Sequence, residues 1–260
     1  MSRSIRMGAA ALGLGLAPTA VRAAVLAPDS YFQESGGVVA GEAENYHSRT
    51  VLAANNATWK ISPTEVVNPG DNAQAITNAR GGQYVQALPD GGGNSGGPNN
   101  PPTISYRVNI ETAGTYQLYL RWETNANNTG ASDSMFADIV ELKDGTSGPN
   151  TIADWYEYGH PGSDSNFSTN PWDGLGGKEE NVATAANNPA VWTIATPGIY
   201  TVRLSVREDG AAVDAWALQL QSLVAPTGTG PAESAIVPEP GTLGLLGLGA
   251  LGMLARRRGR

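Results

Sequence analysis

The chain has 260 residues, 33 of them Gly and 17 Pro, with 40% hydrophobic and 15% charged residues and no cysteine. That length holds one domain of sandwich size plus terminal signals, and the composition excludes a disordered chain and a disulfide-stapled scaffold. The formal net charge is −8, and with the basic ends set aside residues 24–238 carry nine basic against 23 acidic side chains, so the body repels nucleic acid and anionic polymers and welcomes cations.

Arg3 and Arg6 precede the apolar run MGAAALGLGLAPTA, and Val21-Arg22-Ala23 places small residues where a signal peptidase needs them. Residues 1–23 therefore read as a secretory signal peptide, too short and too rich in Gly and Ala for a good spanning helix. After a lead-in, Val38, Val39 and Ala40 run into Glu42-Ala43-Glu44. Carboxylates at i and i+2 share one face of a strand and repel unless a cation or donor sits between them, which makes that face a metal candidate. The alternative is that Glu42 or Glu44 pairs with Arg207 or faces water.

Residues 90–102, DGGGNSGGPNNPP, supply turns and lack the Lys and the following helix of a nucleotide loop. The segment ISYRVNIETAGTYQLYLRWE is strand, turn, strand, and Met135–Leu142 reads as a short strand with Asp138 and Glu141 exposed. Residues 151–192 gather Trp155, Tyr156, Tyr158, His160, Phe167, Trp172 and Trp192 in a Gly- and Asn-rich context. Such a cluster either offers flat faces for stacking on sugar rings or packs a long connection on itself.

From Trp192 to Leu220 the pattern is most explicit. After the Pro197-Gly198 turn, Tyr200, Val202, Leu204 and Val206 alternate with Thr201, Arg203, Ser205 and Arg207, the period of a half-buried strand. Glu208-Asp209-Gly210 breaks it, and Val213, Ala215 and Ala217 resume an alternation that puts Asp214 and Trp216 on the other face. The earlier segment overlays this one with Gly114 on Gly198 and Tyr116 on Tyr200. Both are expected to be hairpins or consecutive strands of one antiparallel sandwich, and the fold class is all-β.

Residues 226–236, rich in Pro, Gly and Thr, read as a linker. Beyond them Val237-Pro238-Glu239-Pro240-Gly241 leads into TLGLLGLGALGMLA and then Arg256, Arg257, Arg258 and Arg260. Residues 237–260 thus resemble the PEP-CTERM sorting signal. That resemblance implies an exosortase-type processing enzyme acting near the Pro-Glu-Pro, a C-terminal hydrophobic helix, transient inner-membrane anchoring and a final place in the cell envelope or outside the cell; the terminal arginines put the body on the non-cytoplasmic side.

The E-A-E-N-Y opening, Trp59, the G-G-Q-Y at Gly81 to Tyr84, Y-R-V-N-I-E-T-A-G-T-Y-Q-L-Y-L-R-W, T-P-G-I-Y-T-V-R-L and R-E-D-G-A-A-V-D-A-W-A-L, in that order, resemble the carbohydrate-binding modules of families 6 and 35 and their galactose-binding-like relatives. The resemblance implies a jelly-roll-like antiparallel β-sandwich over about residues 30–225, with Glu42, Glu44 and Asp214 holding a structural Ca²⁺. It adds Tyr84 to Trp155, Trp172 and Trp192 as candidate ligand-binding residues. It departs at the final turn, where Gly210-Ala211-Ala212-Val213 lacks the Asn that contacts sugar in some members.

No catalytic residue is assigned. The histidines are His47 and His160, and there is neither G-x-S-x-G nor H-E-x-x-H; Glu179-Glu180 and Glu208-Asp209 read as solvated corners. The expected function is an exported, non-catalytic module that binds polysaccharide. The alternatives are a structural surface or biofilm-matrix protein without sugar binding, a polysaccharide lyase using His160 and Tyr158, or a polysaccharide hydrolase.

Overall fold

The computed structural model describes residues 25–52, 56–91, 101–124, 132–142, 155–159, 165–169, 172–178 and 188–239. The signal peptide, His160, Glu179-Glu180 and the hydrophobic sorting segment lie outside the described residues. Within them the chain forms strands β1 (Ser30–Gln33), β2 (Val38–Glu42), β3 (Ser48–Arg49), β4 (Thr58–Ser62), β5 (Tyr84–Leu88), β6 (Thr103–Ile110) and β7 (Gly114–Glu123). These are followed by β8 (Ser134–Ile139), β9 (Tyr156–Gly159), β10 (Gly177–Lys178), β11 (Val191–Ile194), β12 (Gly198–Val206), β13 (Ala212–Leu220) and β14 (Ile236–Pro238), with only short 3-10 turns besides.

The strands build two sheets. One runs β10-β9-β8-β12-β6-β1-β14 with β3 also on β6; the other runs β11-β7-β13-β5-β4 with β2 also on β13. Only β1 and β6 pair in parallel among these strands. The all-β class expected from the turn-punctuated sequence, and the jelly-roll-like sandwich implied by the family resemblance, are the observed architecture. The two look-alike segments are consecutive strands of the sandwich rather than hairpins. Each crosses from one sheet to the other, β6 to β7 and β11 to β12, and the two corners stack, since Gly198 opposes Ile110 and Ile194 opposes Gly114. Three-residue links, which could also close a hairpin, here turn a sandwich edge.

Buried Glu34 fastens one of these corners. Its carboxylate accepts from the backbone N–H of Glu111 and Thr112 and from the Tyr116 hydroxyl. Burial alone would raise its pKa, but these donors together hold it below the ordinary value.

Between the sheets, alternate residues of β6, β7, β12 and β13 meet in one core. At its centre the Trp216 ring lies 5.2 Å from Phe32 and 5.0 Å from Tyr106, centroid to centroid. Buried tyrosines stay because their hydroxyls are satisfied: Tyr106 donates to Ala43 O and Tyr158 to Leu118 O, each at 2.8 Å. Gly41, opposite Trp216 on β2, makes room for the indole, since a Cβ there would lie 2.7 Å from Trp216 Cζ2. Gly41→Ala is therefore expected to cost about 1 to 3 kcal/mol by overpacking, read as a shift in the denaturant midpoint at unchanged slope.

Three expectations change. A bulge between Val213 and Ala215 breaks the alternation of β13, so Asp214 and Trp216 do not share a face. Trp216 enters the core while Asp214 turns to Arg121. Asp138 is buried, not exposed, because Arg203 on the neighbouring strand β12 clamps it with two bonds, Nε to Oδ1 at 2.8 Å and Nη2 to Oδ2 at 2.5 Å. Glu208 and Asp209 are buried corners rather than solvated ones. Glu208 accepts from Asp133 N and Arg207, and burial together with Glu208 pushes the Asp133 carboxyl up to about 6.

Residues 226–236, read as a linker, lie against the sandwich. The Glu233 carboxylate accepts from Glu42 N and Asn45, Ser234 exchanges bonds with Ala40, and β14 continues the eight-stranded sheet beyond β1. Proline and glycine mark where a chain cannot be helical; they do not forbid it an edge strand.

Candidate functional site

The predicted metal ligands meet at the end of β2. Glu42 is its last residue, and Glu44 follows not on the strand but in a turn closed by Asn45 N donating to Glu42 O. The bulge of β13 brings Asp214 to them. From the other side come Arg80, in a 3-10 turn between β4 and β5, and Arg121 on β7. Arg80 N donates to Asp214 Oδ1 and Arg80 Nε to Glu42 Oε1, both at 2.6 Å, while Arg121 Nη1 pairs with Asp214 Oδ2. Gly81 has φ +67°, which L side chains rarely adopt, and lies over Glu44: a Cβ there would stand 3.7 Å from its Oε1.

Electrostatics define this cluster. The Arg121 and Asp214 side chains are only 4% and 0% exposed. Four carboxylates, Glu42, Glu44, Asp214 and Glu233, face two guanidiniums, so the site carries two uncompensated negative charges when all are ionised. Burial pushes Glu44 up to about 9, with the charges of Glu42, Asp214 and Glu233 acting in the same sense. Burial raises Glu42 and takes Asp214 to about 6 in spite of their arginine partners. Oε2 of Glu42 and Oε2 of Glu44 are buried with no hydrogen-bond partner. Oxygen-only donors with unspent lone pairs suit a hard cation such as Ca²⁺. As the side chains stand, though, no three Asp, Glu, His or Cys among the described residues are arranged to hold a metal ion, because Arg80 and Arg121 occupy the counter-charge positions.

The predicted ligand-binding aromatics are not brought together. Tyr84 is buried against Phe167, its hydroxyl donating to Gln74 O and accepting from Ile76 N. Trp192 is in the main core beside Tyr156. Trp155 stacks edge-on against Phe136 at 4.7 Å. Trp172 covers Ala40, Tyr119, Ala215 and Ala217 on the outer face of the six-stranded sheet, and its Nε1 donates to Gly228 O. Tyr84, Trp172 and Trp192 are buried against the protein and Trp155 is half-buried against Phe136, so the four are packed in four places rather than presented together.

An open concavity lies elsewhere among the described residues, on the outer face of the eight-stranded sheet. A groove of about 330 Å³ is lined by Ser105 and Arg107 of β6, Thr201 and Arg203 of β12, and His47-Ser48 at β3, with Pro28, Thr103 and Val140 at its margins. Sequence reasoning missed it because these are the polar positions of alternating strands, which ordinarily face plain solvent.

His47 in its wall is neutral in the fold. Its Nδ1 accepts from Arg107 N at 3.0 Å, and burial, with the nearby Arg107 charge, lowers its pKa to about 4. The unfolded chain takes up a proton near 6.5, so the stability tied to neutral His47 is present above pH 6.5 and lost as pH falls toward 4. The advantage of wild type over His47→Asn, which keeps an acceptor but does not titrate, is expected to shrink by up to about 3 kcal/mol between pH 7 and 4 in parallel denaturation curves.

Comparison with known proteins gives a match of residues 237–258 to the PEP-CTERM protein-sorting motif. No curated protein matches the chain. Among solved structures, the native structure of a family 35 carbohydrate binding module from Clostridium thermocellum is 16% identical with a TM-score of 0.37, covering 70% of this chain and 96% of that one. A cycloisomaltooligosaccharide glucanotransferase of Paenibacillus sp., complexed with cycloisomaltoheptaose, is 13% identical with a TM-score of 0.36, covering 73% of this chain but only 19% of that one, so this chain spans about a fifth of that enzyme's length. Fold and motif together define a two-sheet β-sandwich protein with a C-terminal sorting signal.

Proposed function

We propose that the protein is an exported, non-catalytic carbohydrate-binding module that recognises polysaccharide at the cell envelope or in extracellular matrix, and that an exosortase-type enzyme processes its tail after transient inner-membrane anchoring. The open groove carries this reading. It presents the Ser48 and Ser105 hydroxyls beside Thr103, Thr201, Arg107 and Arg203, which already bond Thr50, Glu141, Glu239 and Asp138 respectively, a polar lining of the kind that hydrogen-bonds sugar hydroxyls. No carboxyl group is among its lining residues, and the nearby Glu141, Glu239 and Asp138 are bonded to Thr201, Arg107 and Arg203. Affinity gel electrophoresis over a polysaccharide panel, with assay of the same mixtures for new reducing or unsaturated ends, tests it: retardation without cleavage supports it, and cleavage or no retardation counts against it. A second reading, a structural matrix protein without sugar binding, is favoured by the separate burial of Tyr84, Trp172 and Trp192.

Structural Ca²⁺ at Glu42, Glu44 and Asp214 belongs to the same proposal. Its binding would draw the carboxylates off Arg80 and balance the two spare negative charges. At about 100 times its dissociation constant the ion is expected to add about 2.7 kcal/mol, seen as a melting temperature that falls on chelation and returns with Ca²⁺ but not with Na⁺.

A further inference from the structure

We propose that the sandwich sequesters the first residues of its own sorting motif in an edge strand, which the sorting enzyme must draw off before it can act. The matched motif begins at residue 237, inside β14. There Ile236, Val237 and Pro238 pair antiparallel with Phe32, Tyr31 and Ser30 of β1. The ladder extends at both ends, Gln33 N donating to Ala235 O at 2.8 Å and Glu239 N to Asp29 O at 2.6 Å.

Glu239, the one acidic residue in 237–260, is engaged as well: its carboxylate pairs with Arg107 Nη2, and the other terminal nitrogen of Arg107 donates to Pro28 O. Just upstream, Glu233 and Ser234 are bonded to β2, so little slack separates the body from the motif. An enzyme that cleaves a peptide bond takes its substrate as an extended segment whose backbone groups are free to bond the enzyme. In β14 one edge of that segment is spent on β1, and the carboxylate that distinguishes the motif from any apolar tail is spent on Arg107. Release needs only a local opening, because the ion pair is partly exposed and the strand is three residues long.

The test follows the full-length chain made with the sorting enzyme in its membrane, alongside hydrogen exchange of the purified chain. Arg107→Glu, which repels Glu239, is expected to be processed about threefold faster or more than wild type. In the unsubstituted chain the Glu239 amide is expected to exchange at least about tenfold more slowly than in a peptide of residues 226–260, a measurement independent of whether the variant folds. Processing of Arg107→Glu at or below the wild-type rate, or exchange at Glu239 as fast as in the peptide, would overturn the proposal.

Discussion

Arg121→Met is expected to lower the stability of the sandwich by about 3 to 5 kcal/mol, because it leaves a buried carboxylate without its cation. Asp214 has no exposed surface, and its other partner is a single backbone N–H from Arg80. Removing Arg121 also leaves Glu42, Glu44, Asp214 and Glu233 facing Arg80 alone. The converse variant separates ion from arginine: Glu44, held near 9 by burial, is protonated at neutral pH without a cation, so Glu44→Gln should be nearly neutral in chelator and clearly destabilising in Ca²⁺. Denaturant midpoints of both variants, with and without Ca²⁺, check this. Equal stability of Arg121→Met and wild type would mean that the cluster is solvated rather than buried.

Trp216→Ala is expected to cost a similar amount, about 3 to 5 kcal/mol, for a different reason. The ring is fully buried on the central strand β13, between Phe32 and Tyr106, and no neighbour can close the void without moving a sheet. Trp172→Ala is the control: it uncovers Ala40, Tyr119, Ala215 and Ala217 on the outer face, where water can enter, and should cost clearly less. Equal losses would show that the outer cover is as integral as the core.

These two residues mark the limits of what the sequence displays. Trp216 sits in a legible alternation, but the bulge that separates it from Asp214 leaves no trace in polarity, since Val213, Ala215 and Ala217 look alike whichever way they point. Glu42 with Glu44, and Asp214 apart from them, stood out because carboxylates inside strand-like runs are costly enough to need a reason; only the family resemblance joined the three into one set. Arg80 and Arg121 were not: an arginine in a Gly-rich turn or at an outward strand position is ordinary, and only the fold shows that the outward face is covered. Asp138 was misjudged in the same way, its partner Arg203 being visible only once β8 and β12 are side by side. Loop aromatics state that something large is buried or bound, but not which, and each of the four found a protein surface. The tail strand was hidden by its prolines, which edge strands tolerate.

The most direct test of the account is binding to a glycan array by the processed chain, wild type beside Ser105→Leu. Ser105 lies between Ser48 and Arg203 on the floor of the groove, so a leucine there fills it and removes a hydroxyl without adding a flat ring. The account predicts glycan binding by wild type and a loss of about tenfold or more in Ser105→Leu at an unchanged melting temperature. Binding that is equal in the two proteins, or absent from wild type, would contradict it.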